Sequence, residues 1–183
     1  MTTALLLIDI QNDYFPGGRM ALTGPEAAAD RAAALVARAR AIGIPVVHVR
    51  HVSDRPGATF FLPDTEGALI HHAVEPAPGE TVIEKHRPNA FVDTTLADHL
   101  EAIGATEVVI AGMMTHMCVD STTRAANERG LDCVVVADAC ATGDQTFNGV
   151  HVAADLVHAA FLAALDGTFA AVVSSSDVLE RWA

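Results

Sequence analysis

The sequence predicts an α/β protein: a three-layer, doubly wound sheet of six parallel strands with helices on both faces, in one domain over residues 1–183. Three observations predict it. Continuous apolar runs alternate with Ala-rich, charge-spaced stretches, the pattern of strands buried on both faces between amphipathic helices. Most helical stretches stop at a glycine, and the apolar runs resume shortly after it. The chain is 51% hydrophobic and 19% charged with only 5% aromatic residues, so its core is built from Ala, Val and Leu. A chain of 183 residues is long enough to bury about 70% of its unfolded surface in one core.

The elements follow in order. Ala4–Ile10 is an apolar run ending beside the carboxylate of Asp9, and reads as the first strand. Glu26–Ile42 is helical and stops at Gly43; Pro45 then opens a second strand, Val46–Val52. Thr81–Glu84 is a short third strand followed by Lys85. Thr94–Ile103 is a helix stopped by Gly104, and Glu107–Ala111 is the fourth strand. Thr115–Arg129 reads as one helix up to Gly130, and Cys133–Ala137 as the fifth strand. His151–Leu165 is a helix stopped near Gly167, Phe169–Val173 the sixth strand, and Ser176–Trp182 a last helix with Ser176 as its N-cap. Ser53–Gly79, with four prolines and three glycines, has no such pattern. A segment that long is expected to be a lid or binding loop, or an arm at a subunit contact.

Composition narrows the function. Eleven basic against 23 acidic residues give a net charge of −12, which disfavours phosphate backbones and anionic membrane surfaces and favours a neutral or cationic small molecule. No run approaches the roughly 18 apolar residues of a membrane span. The N-terminal Met-Thr-Thr-Ala-Leu lacks a basic leader, so a cytoplasmic location is expected. Three cysteines without C-x-x-C spacing read as reduced thiols; Cys133 at a strand start and Cys140 in a small-residue turn suit buried packing. No G-x-G-x-x-G follows a strand, which argues against a nucleotide binder.

In open parallel sheets, ligands bind at the carboxyl ends of the strands. Asp9, Lys85 and Cys118 all fall at such ends. A helix N-terminus and a nearby cation each lower a thiol pKa, and both are available to Cys118; a nearby carboxylate instead accepts the thiol proton. Together the three supply a nucleophile, a base and an electrostatic stabiliser for attack on a carbonyl carbon. Backbone N–H groups at the start of the following helix suit the resulting oxyanion.

The local motifs are more specific. Leu7-Ile8-Asp9-Ile10-Gln11-Asn12-Asp13-Tyr14-Phe15, Glu84-Lys85-His86-Arg87-Pro88-Asn89-Ala90-Phe91, Ala111-Gly112-Met113-Met114-Thr115-His116-Met117-Cys118-Val119 and Asp138-Ala139-Cys140-Ala141 occur in this order. Together they resemble the isochorismatase-like cysteine hydrolases across nearly the whole chain. The resemblance implies Asp9 as base, Lys85 as stabiliser and Cys118 as nucleophile. It implies a cis peptide between Met113 and Met114, an oxyanion hole from the N–H groups of Met114 and Cys118, and a homo-oligomer. Retention of Cys118 points to hydrolysis of a C–N bond in an amide, lactam or carbamoyl compound through a thioester. The metal-free branch, with its streptothricin hydrolases, matches better than the nicotinamidases. The segment after the second strand, His48-Val49-Arg50-His51-Val52-Ser53-Asp54, lacks their Asp-x-His metal site, so no metal or other cofactor is expected.

The alternatives are a vinyl ether hydrolase using Asp9 and Lys85 alone, a metal-dependent nicotinamidase-like amidase, and a thiol redox sensor built on Cys118. Substrate contacts are expected from Phe15, Phe61, Met114, His116 and Phe147, with Phe60, Leu62 and Met117 nearby. Arg19, Arg50, Arg55 and Arg87 read as surface cations, any of which could meet a substrate carboxylate; nothing in the sequence selects one.

Overall fold

The computed structural model describes residues 2–183. Six parallel strands form one sheet: β1 (Thr3–Ile8), β2 (Val46–His51), β3 (Thr81–Lys85), β4 (Glu107–Met113), β5 (Asp132–Ala141) and β8 (Ala171–Val173), in the order β3-β2-β1-β4-β5-β8. Among the described residues, five α-helices connect or follow them: α1 (Pro25–Ile42), α2 (Leu96–Ala102), α3 (Asp120–Asn127), α4 (Ala154–Leu165) and α5 (Ser175–Arg181). A short antiparallel hairpin, β6 (Gln145–Phe147) and β7 (Val150–Val152), projects between β5 and α4. Among the described residues no helix is long and apolar enough to cross a membrane.

β1 shows how the sequence makes the layers. Successive side chains of a strand point to opposite faces. Leu5 and Leu7 therefore join Leu35 of α1 and Trp182 beyond α5 in one core. Ala4, Leu6 and Ile8 enter the other, with Leu96 of α2 and Leu162 and Leu165 of α4. All five residues are buried, which is why the run is apolar throughout rather than alternating.

The strand order reverses direction between β1 and β4, and the crevice at that switch point is where such sheets bind ligands. Two local features shape it. β1 stops at Ile8, because Asp9 turns out of the strand with φ 49°. On β4, Gly112 has φ 138°, and a Cβ there would overlap the carbonyl oxygen of Ile8, so only glycine lets the two strands lie this close.

Several boundaries differ from the sequence expectation. The first strand starts one residue before and ends two residues before the expected Ala4–Ile10, and the fourth runs on to Met113. The expected helix Thr115–Arg129 is a π-helical turn, Thr115–Val119, leading into α3. Cys140 lies within β5, not in a turn. The segment expected to begin a helix at His151 first closes the hairpin around Asn148-Gly149, both with positive φ, and α4 starts only at Ala154. Ser174, rather than Ser176, caps the last helix: its hydroxyl accepts the Asp177 N–H while the Asp177 carboxylate accepts the Ser174 N–H at 2.8 Å.

Candidate active site

Asp9, Lys85 and Cys118 converge on the crevice. Asp9 leaves β1, and its N–H donates to the Val49 carbonyl at 2.9 Å. Lys85 closes β3 in register with His51 of β2, and its long side chain reaches Asp9. Cys118 sits in the π-helical turn after β4. The Lys85 ammonium lies 2.6 Å from Asp9 Oδ2, 3.0 Å from His51 Nδ1 and 3.3 Å from Cys118 Sγ. Three hydrogens thus meet three acceptors. Asp9 and Lys85 are fully buried and Cys118 is 4% exposed. The peptide bond between Met113 and Met114 is cis.

Burial decides the protonation states. It pushes the Asp9 carboxyl up, while the Lys85 ammonium pulls it back. Burial opposes the charge on Lys85, but the neighbouring Asp9 and Cys118 prevail and raise its pKa. Burial first, and then the Asp9 carboxylate, push the Cys118 thiol well up. The expected lowering by a helix N-terminus and a cation is therefore overridden, and the resting sulfur is a thiol. Asp9 Oδ1 has no hydrogen-bond partner among the described residues, although it is buried. Donor atoms of Asp9, His51 and Cys118 lie within 4.8 Å of one another. That spacing could hold a metal ion, but the ammonium of Lys85 stands in contact with all three donors. An ion bound there would have to displace Lys85, so the donor set as built fits the ammonium.

The sulfur opens onto a cavity of about 330 Å³. Tyr14, Phe60, Phe61 and Met114 give it an apolar wall, and Ser53 with residues 55–61 of the long irregular segment form one side. Phe61 takes a left-handed φ of 52°, unusual for so bulky a residue; its N–H is tied to Asp13 Oδ2 at 2.6 Å. Tyr14 is 1% exposed, its hydroxyl has no protein partner among the described residues, and burial keeps it a neutral phenol.

Of the expected substrate contacts, Phe61 and Met114 line this cavity, as do Phe60 and Met117. Three others do not. Phe15 stacks on His71 at 3.7 Å and borders a separate recess. His116 turns away to bond the Thr142 hydroxyl and meets Phe161 edge-on. Phe147 is 75% exposed on the hairpin, because the strand it was expected to follow continues to Ala141 and carries it outward. Leu62 is half-buried beside the wall without lining it. Among the arginines, Arg50 pairs with Glu84, Arg87 with Asp54, and Arg19 reaches the Thr59 carbonyl; Arg55 alone lines the cavity. Sequence reasoning missed His51, Tyr14 and Gln11. The one available signal was position: each lies within six residues of the end of a central strand.

Residues 3–177 match the isochorismatase domain. The chain belongs to the isochorismatase family. An isochorismatase family protein of Bacillus subtilis, YddQ, is 52% identical over 180 residues, covering 98% of this chain and all of that one. Streptothricin hydrolase of Streptomyces noursei is 41% identical over 77% of this chain, which spans half the length of that protein. Maleamate amidohydrolase of Pseudomonas putida is 31% identical, covering 97% of this chain and 85% of its own. A crystal structure from Oleispira antarctica, described as an isochorismatase hydrolase, superposes with a TM-score of 0.93 at 49% identity, covering 98% and 96% of the two chains. The isochorismatase-family membership makes this chain a hydrolase by family, and its doubly wound sheet is that of the family's solved structures.

Proposed function

We propose that this protein hydrolyses a carbon–nitrogen bond in a small amide, lactam or carbamoyl compound, with Cys118 as nucleophile, Asp9 as base and Lys85 as electrostatic stabiliser. One observation carries the reading: a single buried ammonium touches both a carboxylate and a thiol at the floor of a cavity. The relatives named as hydrolases and amidohydrolases support the reaction class.

The chemistry follows from the charges. The partnerless Oδ1 of Asp9 takes the thiol proton as the sulfur attacks the carbonyl carbon. Lys85, 3.3 Å away, stabilises the developing thiolate, which burial otherwise penalises. The carbonyl oxygen becomes an oxyanion, received by the backbone N–H groups of Met114 and Cys118. Protonated Asp9 returns its proton to the nitrogen, the C–N bond breaks, and ammonia or an amine leaves a thioester. A water molecule then gives a proton to Asp9 and attacks the thioester; the sulfur leaves and recovers that proton as the acid departs. Asp9 and Cys118 end as they began.

The test is a screen for ammonia release over small amides and ureido acids and for the ring-opened amine over lactams, with Cys118→Ala as the control. Release by the parent and loss of at least about a thousandfold in Cys118→Ala, with unchanged folding, is expected. Turnover retained by Cys118→Ala would remove the mechanism.

A further inference from the structure

His51 meets the same ammonium, and the proposed chemistry leaves it without a task. Its Nδ1 lies 3.0 Å from Lys85 Nζ. Lys85 is held charged by Asp9 at 2.6 Å, and an ammonium can only donate. Nδ1 is therefore an acceptor and carries no hydrogen. Burial, with the Lys85 charge beside it, pushes the imidazole pKa down to about 3, so the ring is neutral and its one N–H is at Nε2. His51 lines the cavity, and Nε2 has no protein partner among the described residues.

The residue is also held firmly in place. The side chain of Gln11 is wholly buried, and its amide brackets the His51 backbone: Oε1 accepts the His51 N–H at 2.7 Å and Nε2 donates to the His51 carbonyl at 2.8 Å. A further bond from Gln11 Nε2 to the Ala68 carbonyl, also 2.8 Å, fixes the amide itself. The Phe61 ring lies 5.9 Å from the imidazole, centroid to centroid. A buried side chain that satisfies both backbone groups of one strand-end residue fixes where that residue's ring stands.

We infer that His51 is a substrate-binding residue, locked as the Nε2–H tautomer, which donates this hydrogen to an oxygen of the substrate next to the bond that Cys118 attacks. The preferred substrates are then amides that carry a second oxygen acceptor close to the scissile carbonyl, such as half-amides of diacids or ureido acids; these are anions, contrary to the expectation from net charge, and Arg55 on the cavity wall supplies a local cation for them. Simple alkyl amides present a methyl or methylene in place of that oxygen and leave the donor unpaired. The inference rests on the hydrolase reading, and its test is built to fail separately from it.

Nitrogen NMR on protein labelled at histidine reports the tautomer. At neutral pH, His51 Nδ1 is expected as a pyridine-type and Nε2 as a pyrrole-type nitrogen; an Nδ1–H overturns the inference whatever the enzyme turns over. In Cys118→Ala protein, maleamate should shift the Nε2–H resonance downfield, whereas propionamide should not. No shift with maleamate, or an equal shift with both, overturns it, and neither result requires turnover. A kinetic arm separates binding from support of Lys85. In His51→Asn the side-chain oxygen takes the place of Nδ1 beside Lys85, but no hydrogen reaches the position of Nε2. For an oxygen-bearing amide turned over by the parent, kcat/KM is expected to fall roughly ten- to a hundredfold. Alkylation of Cys118 by iodoacetamide should stay within about twofold of the parent. Undiminished kcat/KM would mean that His51 makes no such contact with substrate, and alkylation slowed in step with kcat/KM would mean that His51 acts only through Lys85; either overturns the inference.

Discussion

Replacing Lys85 with methionine isolates the interaction on which the site is built. The ammonium and the Asp9 carboxylate are both fully buried and 2.6 Å apart. At an effective dielectric constant of about 20, Coulomb attraction at that distance amounts to about 6 kcal/mol. Desolvation of the two ions offsets much of it, so the intact pair contributes little net stability. Removing one partner is another matter, because it leaves a carboxylate in a dry site, and costs of about 3–5 kcal/mol are expected. Met fills a similar volume, so little of that loss comes from a cavity. Urea denaturation of the parent, Lys85→Met and Lys85→Met/Asp9→Asn measures it. Asn tolerates the left-handed backbone at position 9, so the double variant should recover most of the loss. The pH dependence carries the sign. In Lys85→Met the folded pKa of Asp9 lies above its unfolded value, so the deficit is full at high pH and shrinks as pH falls through that raised value. A cost below about 1 kcal/mol, a deficit that ignores pH, or a double variant no better than the single one would refute the reasoning.

Two further outcomes concern the frame around the site. Gly112→Ala should destabilise the fold by about 3 kcal/mol or more in thermal or urea unfolding, since the methyl would meet the Ile8 carbonyl oxygen at a backbone angle that alanine resists. A loss under about 1 kcal/mol would mean that β1 and β4 can separate at this point. Glu80, held by Arg40 at 2.8 Å and bonded to the Ala77 N–H and His48, has its carboxyl pKa lowered to about 2. Its stabilisation, screened by solvent because the Arg40 side of the pair is exposed, is about 1–2 kcal/mol; it is present above the unfolded pKa near 4.5 and is lost as pH falls toward 2. Glu80→Gln should therefore be less stable than the parent at pH 6, with the difference narrowing below pH 4.5 and closing only as pH approaches 2; a constant difference would contradict the assigned pairing.

Helices and strands were legible wherever burial imposes a period. Ala4–Ile8 are apolar throughout, and Val46, Val47 and Val49 flank a buried His48, because both faces of the sheet are covered; α1 starts one residue before the expected Glu26 and stops at Gly43 as expected. Legibility failed where local geometry breaks the period. The extra residue of the π-helical turn at Thr115–Val119 leaves no mark on composition. The Asn148-Gly149 turn was written in the sequence, but its flanking strands are three residues each and exposed, so their pattern blends into the helix that follows. Phe147 looked like a pocket residue only because an aromatic after a strand is ambiguous between lining a crevice and riding outward on a hairpin.

By itself, the sequence determined which chemical groups are available and in what order they arrive: a carboxylate after the first strand, an amine after the third and a thiol after the fourth. That much is local, because strand ends and glycine stops are set by residues a few positions away. Tertiary structure decided their proximity and their charge state. Contacts between residues 9, 51, 85 and 118 depend on which strands lie side by side, and the thiol's pKa depends on how much water the surrounding chain excludes. The role available to His51 belongs to this second class, since the hydrogen on its ring is placed by an ammonium 34 residues away.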